Sequence, residues 1–238
     1  MNCLLRGTQQ VWSITVIFLM LCSQAHAVDY KARYGLKNAY QQLTDNHGDG
    51  YQPLYGTRNF RVVLYNVYYR GGANNAFHRA DKRANANPLP NDGLENLCTQ
   101  EFSTAVYFYT TNFNTAPAHT NCNVGNSVNK LNYIQITAAD VDSPERMLSL
   151  IHDRIQGKLP GPIYGHCWNG WHASGLIAAV ALQQFCGLTP KKALDYWITN
   201  TDGNIEGYSS IRRRILDFKP FPQWQIDAAT KRNICPSV

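Results

Sequence analysis

The sequence predicts an α/β fold in which helices cover a mixed or parallel sheet. Four segments rich in β-branched and aromatic residues have the composition of strands; they are residues 60–69, 104–110, 133–137 and 162–165. Three segments whose apolar residues recur with helical spacing lie between and after these strands; they are residues 143–157, 174–185 and 189–197. Strands separated by helices of this length are typical of a sheet with helices packed on its faces.

The predicted helices have clear ends. Ser143-Pro144 combines an N-cap residue with a proline at the first helical position, and Thr189-Pro190 repeats this signal for the last helix. The middle helix is apolar nearly all round, which indicates that it is buried, and Gly187 follows it as a stop.

Residues 1–27 have the features of a cleavable secretory signal peptide. Arg6 provides a basic start, residues 11–22 form an apolar stretch too short for a membrane span, and residues 25–27 give a small-x-small cleavage site. We therefore expect an exported protein, periplasmic or extracellular, that keeps no membrane span after cleavage. An uncleaved N-terminal anchor is the alternative.

The rest of the chain has the length of one domain. We divide it into a polar N-terminal segment, 28–58, and a domain, 59–238, in which residues 73–93 form a long surface loop or a short irregular helix. Residues 28–238 hold 21 basic and 16 acidic residues, a net charge of +5 that permits an anionic partner. The one dense basic run, 212–214, has no nucleic-acid motif beside it, so no nucleic-acid partner is expected.

Residues 166–175, His-Cys-Trp-Asn-Gly-Trp-His-Ala-Ser-Gly, lie between the last predicted strand and the buried helix. A cysteine at the end of a strand and facing a helix N-terminus has its thiolate stabilised by loop N–H groups and the helix dipole. The same N–H groups can hold a phosphate, and Gly170 allows close backbone approach.

This segment resembles the phosphate-binding loop of the cysteine-based phosphatases, the dual-specificity and tyrosine phosphatase superfamily. Their pattern is H-C-x-x-G-x-x-R-[S/T]-G between a strand and a buried helix, and the sequence matches it at His166, Cys167, Gly170, Ser174 and Gly175. The signature arginine, however, is replaced by alanine at position 173.

The resemblance implies roles for these residues, and it assigns Gly170, His172, Ala173 and Gly175 to an anion site. Cys167 would be the nucleophile, the hydroxyl of Ser174 would stabilise it as a leaving thiolate, and the missing arginine would have held two phosphate oxygens. The general acid would be Asp140 or Asp142, each on a loop about 25 residues before the cysteine; we prefer Asp140. His172 could replace part of the arginine, although a neutral imidazole offers a single hydrogen bond.

Several other readings of the cysteine segment stay open. The first is a buried structural cysteine. The second is zinc ligation by His166 and His172 with Cys167 or Cys186, although their spacing is unlike that of a closed site. The third is a papain-type cysteine hydrolase, although the wider local signature of that family is missing. We predict no metal and no cofactor.

Loss of a transition-state arginine costs roughly 10³–10⁵ in rate. We therefore expect an exported pseudophosphatase, a protein with a phosphatase fold and impaired or absent catalysis. It would bind an anionic or phosphorylated ligand, or a protein partner, through this loop. The alternative is an active, atypical cysteine-dependent phosphatase, which would need Arg70 or one of residues 212–214 to reach the loop. A third reading is a disulfide-stabilised interaction protein that binds no anion.

Residues 28–238 contain five cysteines, an odd number. We predict that Cys98 pairs with Cys122 and that Cys186 pairs with Cys235, each closing a loop that would stabilise the fold by roughly 3–4 kcal/mol. Cys167 then remains as the free thiol, as its place in the loop suggests.

Overall fold

The protein is described by a computed structural model that covers residues 28–74 and 88–238. The predicted signal peptide and most of the predicted 73–93 loop lie outside the described residues. Within the described ranges, no helix is both long enough and apolar enough to cross a bilayer.

Six strands form one mixed sheet in the described part of the chain, in the order β1-β2-β6-β3-β5-β4. The four inner strands run parallel, and the two edge strands, β1 and β4, pair antiparallel with their neighbours. The strands are β1 Thr57–Leu64, β2 Tyr68–Ala73, β3 Thr104–Tyr107, β4 His119–Val124, β5 Ser127–Gln135 and β6 Ile163–Cys167. The mixed sheet confirms the predicted fold class.

The helices lie on both faces of this sheet. They are α1 Tyr30–Tyr34, α2 Asn91–Thr99, α3 Ser143–Ile155, α4 His172–Cys186, α5 Pro190–Thr199, α6 Ser209–Asp217 and α7 Ala228–Ile234. The three predicted helices correspond to α3, α4 and α5, with Gly187 in the left-handed conformation at the end of α4. Helix α4 is buried along most of its length because it packs on the sheet with α5 and α6 against it.

The second face of the sheet carries a core rich in tyrosine and phenylalanine. Tyr30 and Tyr34 of α1 pack there against Phe60, Tyr69 and Phe102. The segment 28–58 is therefore part of the domain, and its boundary at residue 59 falls inside strand β1. Tyrosines spaced along a polar stretch gave no periodic signal for this burial.

Two disulfides connect the elements. Cys98 of α2 is bonded to Cys122 of β4, and Cys186 at the end of α4 is bonded to Cys235 after α7. Cys167 is the free cysteine among the described residues. The predicted pairing is confirmed, and Cys186 is thereby excluded as a zinc ligand.

Candidate anion-binding site

Cys167 is the last residue of β6, and α4 begins five residues later at His172. The cysteine is buried, and its Sγ lies 3.5 Å from Oγ of Ser174 in the first turn of α4. Strand and helix thus place a thiol at a helix N-terminus beside a hydroxyl, as the sequence predicted. The residues between them, 168–171, are called the cysteine loop below.

The first two carbonyl groups of the cysteine loop are hydrogen-bonded to β1 and β2. The oxygen of Trp168 accepts from the Ala73 N–H at 3.0 Å and from Nε of Arg58 at 3.4 Å. The oxygen of Asn169 accepts from Nδ2 of Asn59 at 2.7 Å. Both donor side chains are buried, so these contacts fix the orientation of the loop.

The third carbonyl group is bonded to Arg70. Nη1 of this fully buried side chain donates to the oxygen of Gly170 at 2.6 Å, and its Nε donates to the Tyr196 hydroxyl at 2.9 Å. Three consecutive carbonyls of the loop therefore receive hydrogen bonds from residues of β1 and β2.

Close contact between the loop and β2 depends on glycines. Gly170 has φ of 80°, and a Cβ there would lie 2.5 Å from the carbonyl carbon of Gly71. A Cβ at Gly72 would lie 2.4 Å from the oxygen of Trp168. Any larger side chain at these positions would push the loop away from the strand.

The N–H groups of the cysteine loop point the other way. The C=O and N–H of one peptide unit are antiparallel, so carbonyls turned toward β1 and β2 direct the next N–H groups away from these strands. In the part of the chain that the structure describes, the N–H groups of residues 169–173 donate to no acceptor. A run of such donors at the start of a helix is an anion-binding arrangement.

Among the described residues, no hydrogen bond joins any arginine of the run 212–214 to the cysteine loop. Arg212 donates to the oxygen of Ile205, and Arg214 donates to the oxygens of Ala138 and Asp140. Ala173 itself is half-buried and packs against the helical core. Of the candidate arginines, Arg70 contacts the loop, on its carbonyl side.

The ring of His172 is held by residues that follow α5. It stacks on Tyr208 with ring centroids 3.6 Å apart, and its Nε2 donates to the oxygen of Asn204 at 2.6 Å. Burial lowers the pKa of His172. The imidazole is therefore neutral and bonded to Asn204. The group that His172 offers to an anion is its backbone N–H.

His166 is buried within the sheet. Tyr133 accepts the N–H of Leu89 at 2.9 Å, so its own hydroxyl proton is directed to Nε2 of His166 at 2.8 Å. The remaining ring nitrogen, Nδ1, then donates to the oxygen of Cys167 at 3.2 Å. Burial lowers the pKa of His166 to about 3, so this ring is a neutral support for the strand end.

Asp140 and Asp142 lie on the loop after β5, called the acid loop below and comprising residues 137–142. Strands β5 and β6 are both parallel to β3, so the acid loop and the cysteine loop both follow the C-terminal ends of parallel strands, at the same end of the sheet. Both aspartates are exposed, and among the described residues no hydrogen bond joins either of them to Cys167 or Ser174. The structure brings His166, Cys167, Gly170 and Ser174 together in and beside the cysteine loop.

Sequence reasoning missed Arg58 and Asn59 as residues of this site. Asn59 has φ of 50°, a left-handed conformation that asparagine tolerates better than most residues. Its Nδ2 also donates to Oδ1 of Asn46, so it connects the N-terminal segment to the cysteine loop. A contact across more than a hundred positions leaves no local signal in one sequence.

No family model matches the sequence, and no curated protein matches it. The chain is similar in shape to several solved structures. The core catalytic domain of the PP-IP phosphatase SIW14 from S. cerevisiae is 12% identical, covers 74% of this chain and 90% of that chain, and has a TM-score of 0.44. TpbA from P. aeruginosa is 19% identical, with 65% and 91% covered and a TM-score of 0.34.

A third similar structure, Tk-PTP, is 13% identical, with 63% of this chain and 89% of that chain covered and a TM-score of 0.40. These are similarities of shape at low identity. The chemistry of the cysteine loop is inferred from its own residues and contacts.

Proposed function

We propose that this chain is an exported protein with a phosphatase-type fold whose cysteine loop binds a phosphate-like oxyanion and turns over phosphate esters very slowly or not at all. One observation carries the proposal: the carbonyls of residues 168–170 are bonded to donors of β1 and β2, which directs the N–H groups of residues 169–171 to the other side. Together with those of residues 172 and 173 at the start of α4, these N–H groups have no acceptor among the described residues and are available to an anion. Neutral donors and a helix terminus bind such an ion weakly.

The catalytic part of the proposal depends on Ala173. A phosphoryl transition state needs a bidentate positive group, and alanine provides none. An ordinary turnover of ~10 per second would fall to about 10⁻² per second or lower without it. Within the described residues, no hydrogen bond holds either exposed aspartate at the cysteine loop as a proton donor for the leaving group.

The alternative is an active, atypical cysteine-dependent phosphatase. It needs a guanidinium on the N–H side of the loop, and Arg70 is the candidate that contacts the loop. Its contact is with the oxygen of Gly170, on the opposite side, which favours the binding function.

Export is supported by the cysteines. Two disulfides within one domain are typical of proteins that mature in an oxidising compartment. The ligand would be met there as a free oxyanion, a phosphorylated small molecule or a phosphorylated partner protein, all of which present the same group to the loop.

The experiment titrates the mature protein, residues 28–238, with inorganic phosphate by calorimetry and follows hydrolysis of an aryl phosphate in parallel. We expect millimolar binding, tighter in Cys167→Ser because the thiolate no longer competes for the N–H groups, and negligible turnover. Absence of binding in both forms at millimolar phosphate would support the third reading. Turnover that disappears in Cys167→Ser would establish the active phosphatase.

A further inference from the structure

Arg70 carries a buried positive charge without a carboxylate partner. Its side chain is fully buried, and two of its three nitrogens donate to neutral oxygens, those of Gly170 and Tyr196. Within the described residues, Nη2 has no acceptor and no carboxylate forms an ion pair with the guanidinium. Burying an unpaired charge is costly, so its retention at this position points to a specific role.

The charge lies beneath the cysteine site. Arg70 pairs with Gly165, and two residues further Gly72 pairs with Cys167, so Arg70 and Cys167 point to the same face of the sheet. A Cβ at Gly175 in α4 would lie 3.4 Å from Nη1 of Arg70. The guanidinium is therefore packed under the first turn of α4, where the helix dipole is also positive.

The surroundings of this charge are positive as well. Burial lowers the pKa of Arg61 to about 10, and the charge of Arg70 acts in the same direction. Burial also lowers the pKa of Arg58 to about 10, and the nearby Cys167 opposes that shift. Arg58 and Arg70 thus contact the cysteine loop, and Arg61 lies near Arg70. The negative group on this side is the exposed Asp202, whose carboxylate accepts from Nε1 of Trp171.

We propose that Arg70 is a positioning residue that supplies, from beneath the loop, part of the electrostatic role of the arginine missing at position 173. Its hydrogen bond holds the Gly170 carbonyl outward and polarises that peptide, so the Trp171 N–H becomes a stronger donor. Its charge stabilises the Cys167 thiolate and an oxyanion held by the N–H groups. The oxyanion part rests on the proposed function, whereas the thiolate part does not.

The test compares Arg70→Met and Arg70→Lys in the mature protein with disulfides intact. Arg154→Met is the matched control, because Arg154 also donates to backbone carbonyls, those of Asn66 and Leu159, away from the cysteine loop. The first readout is the pH dependence of Cys167 alkylation by iodoacetamide without ligand. The second is the affinity for inorganic phosphate, and thermal unfolding checks that each variant is folded.

In Arg70→Met we expect the midpoint of the alkylation profile to rise by about one pH unit, as when a nearby opposite charge is removed. The affinity for phosphate should fall about tenfold, because a shift of one pH unit and a tenfold change in affinity correspond to the same free energy. Arg70→Lys should keep the midpoint within a few tenths of a unit, since it keeps the charge. Arg154→Met should lower the unfolding temperature and leave both readouts unchanged.

A folded Arg70→Met with the wild-type midpoint and affinity would overturn the proposal and leave Arg70 a packing residue. If Arg70→Met does not fold, Arg70→Gln gives the same comparison, because it keeps a donor for Gly170 without the charge. If wild-type protein binds no phosphate while the midpoint still rises in Arg70→Met, the proposed function fails and the effect of Arg70 on the thiolate stands.

Discussion

The cysteine loop and the acid loop lie at the same end of the sheet, yet they differ in how firmly the fold holds them. The carbonyls of residues 168–170 in the cysteine loop each accept a hydrogen bond from a buried donor of β1 or β2. The acid loop is held by Arg214, which bonds the oxygens of Ala138 and Asp140, and by the Ala138 N–H, which donates to the oxygen of Phe108. Its tip is in solvent, and Val141 at the tip is 94% exposed.

This difference separates binding from catalysis. Oriented N–H donors that need no rearrangement are what an anion site requires. A general acid must reach hydrogen-bond distance of the leaving group, and among the described residues no hydrogen bond holds either exposed aspartate at the cysteine loop. The fold therefore holds the proposed oxyanion-binding groups more firmly than the proposed general acid.

The largest expected effect comes from restoring the arginine. Ala173→Arg should raise hydrolysis of an aryl phosphate by about 10³-fold or more, because a bidentate clamp returns to a formed loop. Ala173→Lys, which adds a charge without the bidentate geometry, should give a much smaller gain. Steady-state rates of the two variants measure this, and adding Cys167→Ser to Ala173→Arg should remove the gain. Equal rates for Arg and Lys would contradict the clamp.

A smaller effect is expected from the acid loop, and only once the clamp is present. In the Ala173→Arg background, Asp140→Asn should lower kcat by about 10²-fold, the low end for loss of a general acid. Asp142→Asn should change kcat little. If the two replacements exchange these effects, Asp142 is the acid; if neither changes kcat, the acid loop is structural.

Gly170→Ala tests how closely the cysteine loop is fitted. The new Cβ would meet the backbone of Gly71, and the residue would have to keep a positive φ, so we expect a loss of about 2–3 kcal/mol in the free energy of unfolding. Gly125→Ala is the control, because Gly125 also has a positive φ but nothing within 4 Å of the added Cβ. Its loss should be about 1 kcal/mol. Equal losses in urea unfolding would show that the contact with β2 is unimportant.

The smallest effect is a pH dependence of stability from His166. The folded-state pKa is lowered to about 3 by burial, so the unfolded chain binds the proton first as pH falls. Stability from this residue is complete above about pH 6.5 and is lost between about pH 6.5 and pH 3, by roughly 1 kcal/mol between pH 7 and pH 5.5.

His166→Gln should reduce that loss in urea unfolding at the two pH values. The control is His119→Gln, at an exposed position of the edge strand β4, which should leave the loss unchanged. If His166→Gln loses as much unfolding free energy between pH 7 and pH 5.5 as the wild-type protein, the pH dependence belongs to other groups.

The sequence was sufficient for features whose residues lie close together in the chain. The cysteine loop spans ten consecutive positions between a strand and a helix, and the proline-capped starts of α3 and α5 are local signals. The disulfide pairing was also predicted, because Cys98 and Cys122 flank one strand-and-loop unit and a Cys186–Cys235 bond ties the C-terminal tail to the buried helix.

Features that depend on distant contacts could not be predicted. Strand β4 alternates between exposed and half-buried polar residues and has almost no β-branched run. Helix α6 contains the basic run 212–214, a segment for which no helix was predicted. The assignment of His172 as a substitute for the arginine did not anticipate Tyr208, which stacks on it from 36 positions away. Arg58 and Asn59 reach the loop only through strand pairing.

The central claim is that the loop binds an oxyanion through its N–H groups, with no arginine on that side. A crystal structure of mature Cys167→Ser grown with phosphate tests it directly. We predict phosphate within hydrogen-bond distance of the N–H groups of residues 169–173, with Arg70 still bonded to the oxygen of Gly170. An arginine side chain gripping the phosphate, or a loop without phosphate whose N–H groups are bonded within the protein, would contradict the claim.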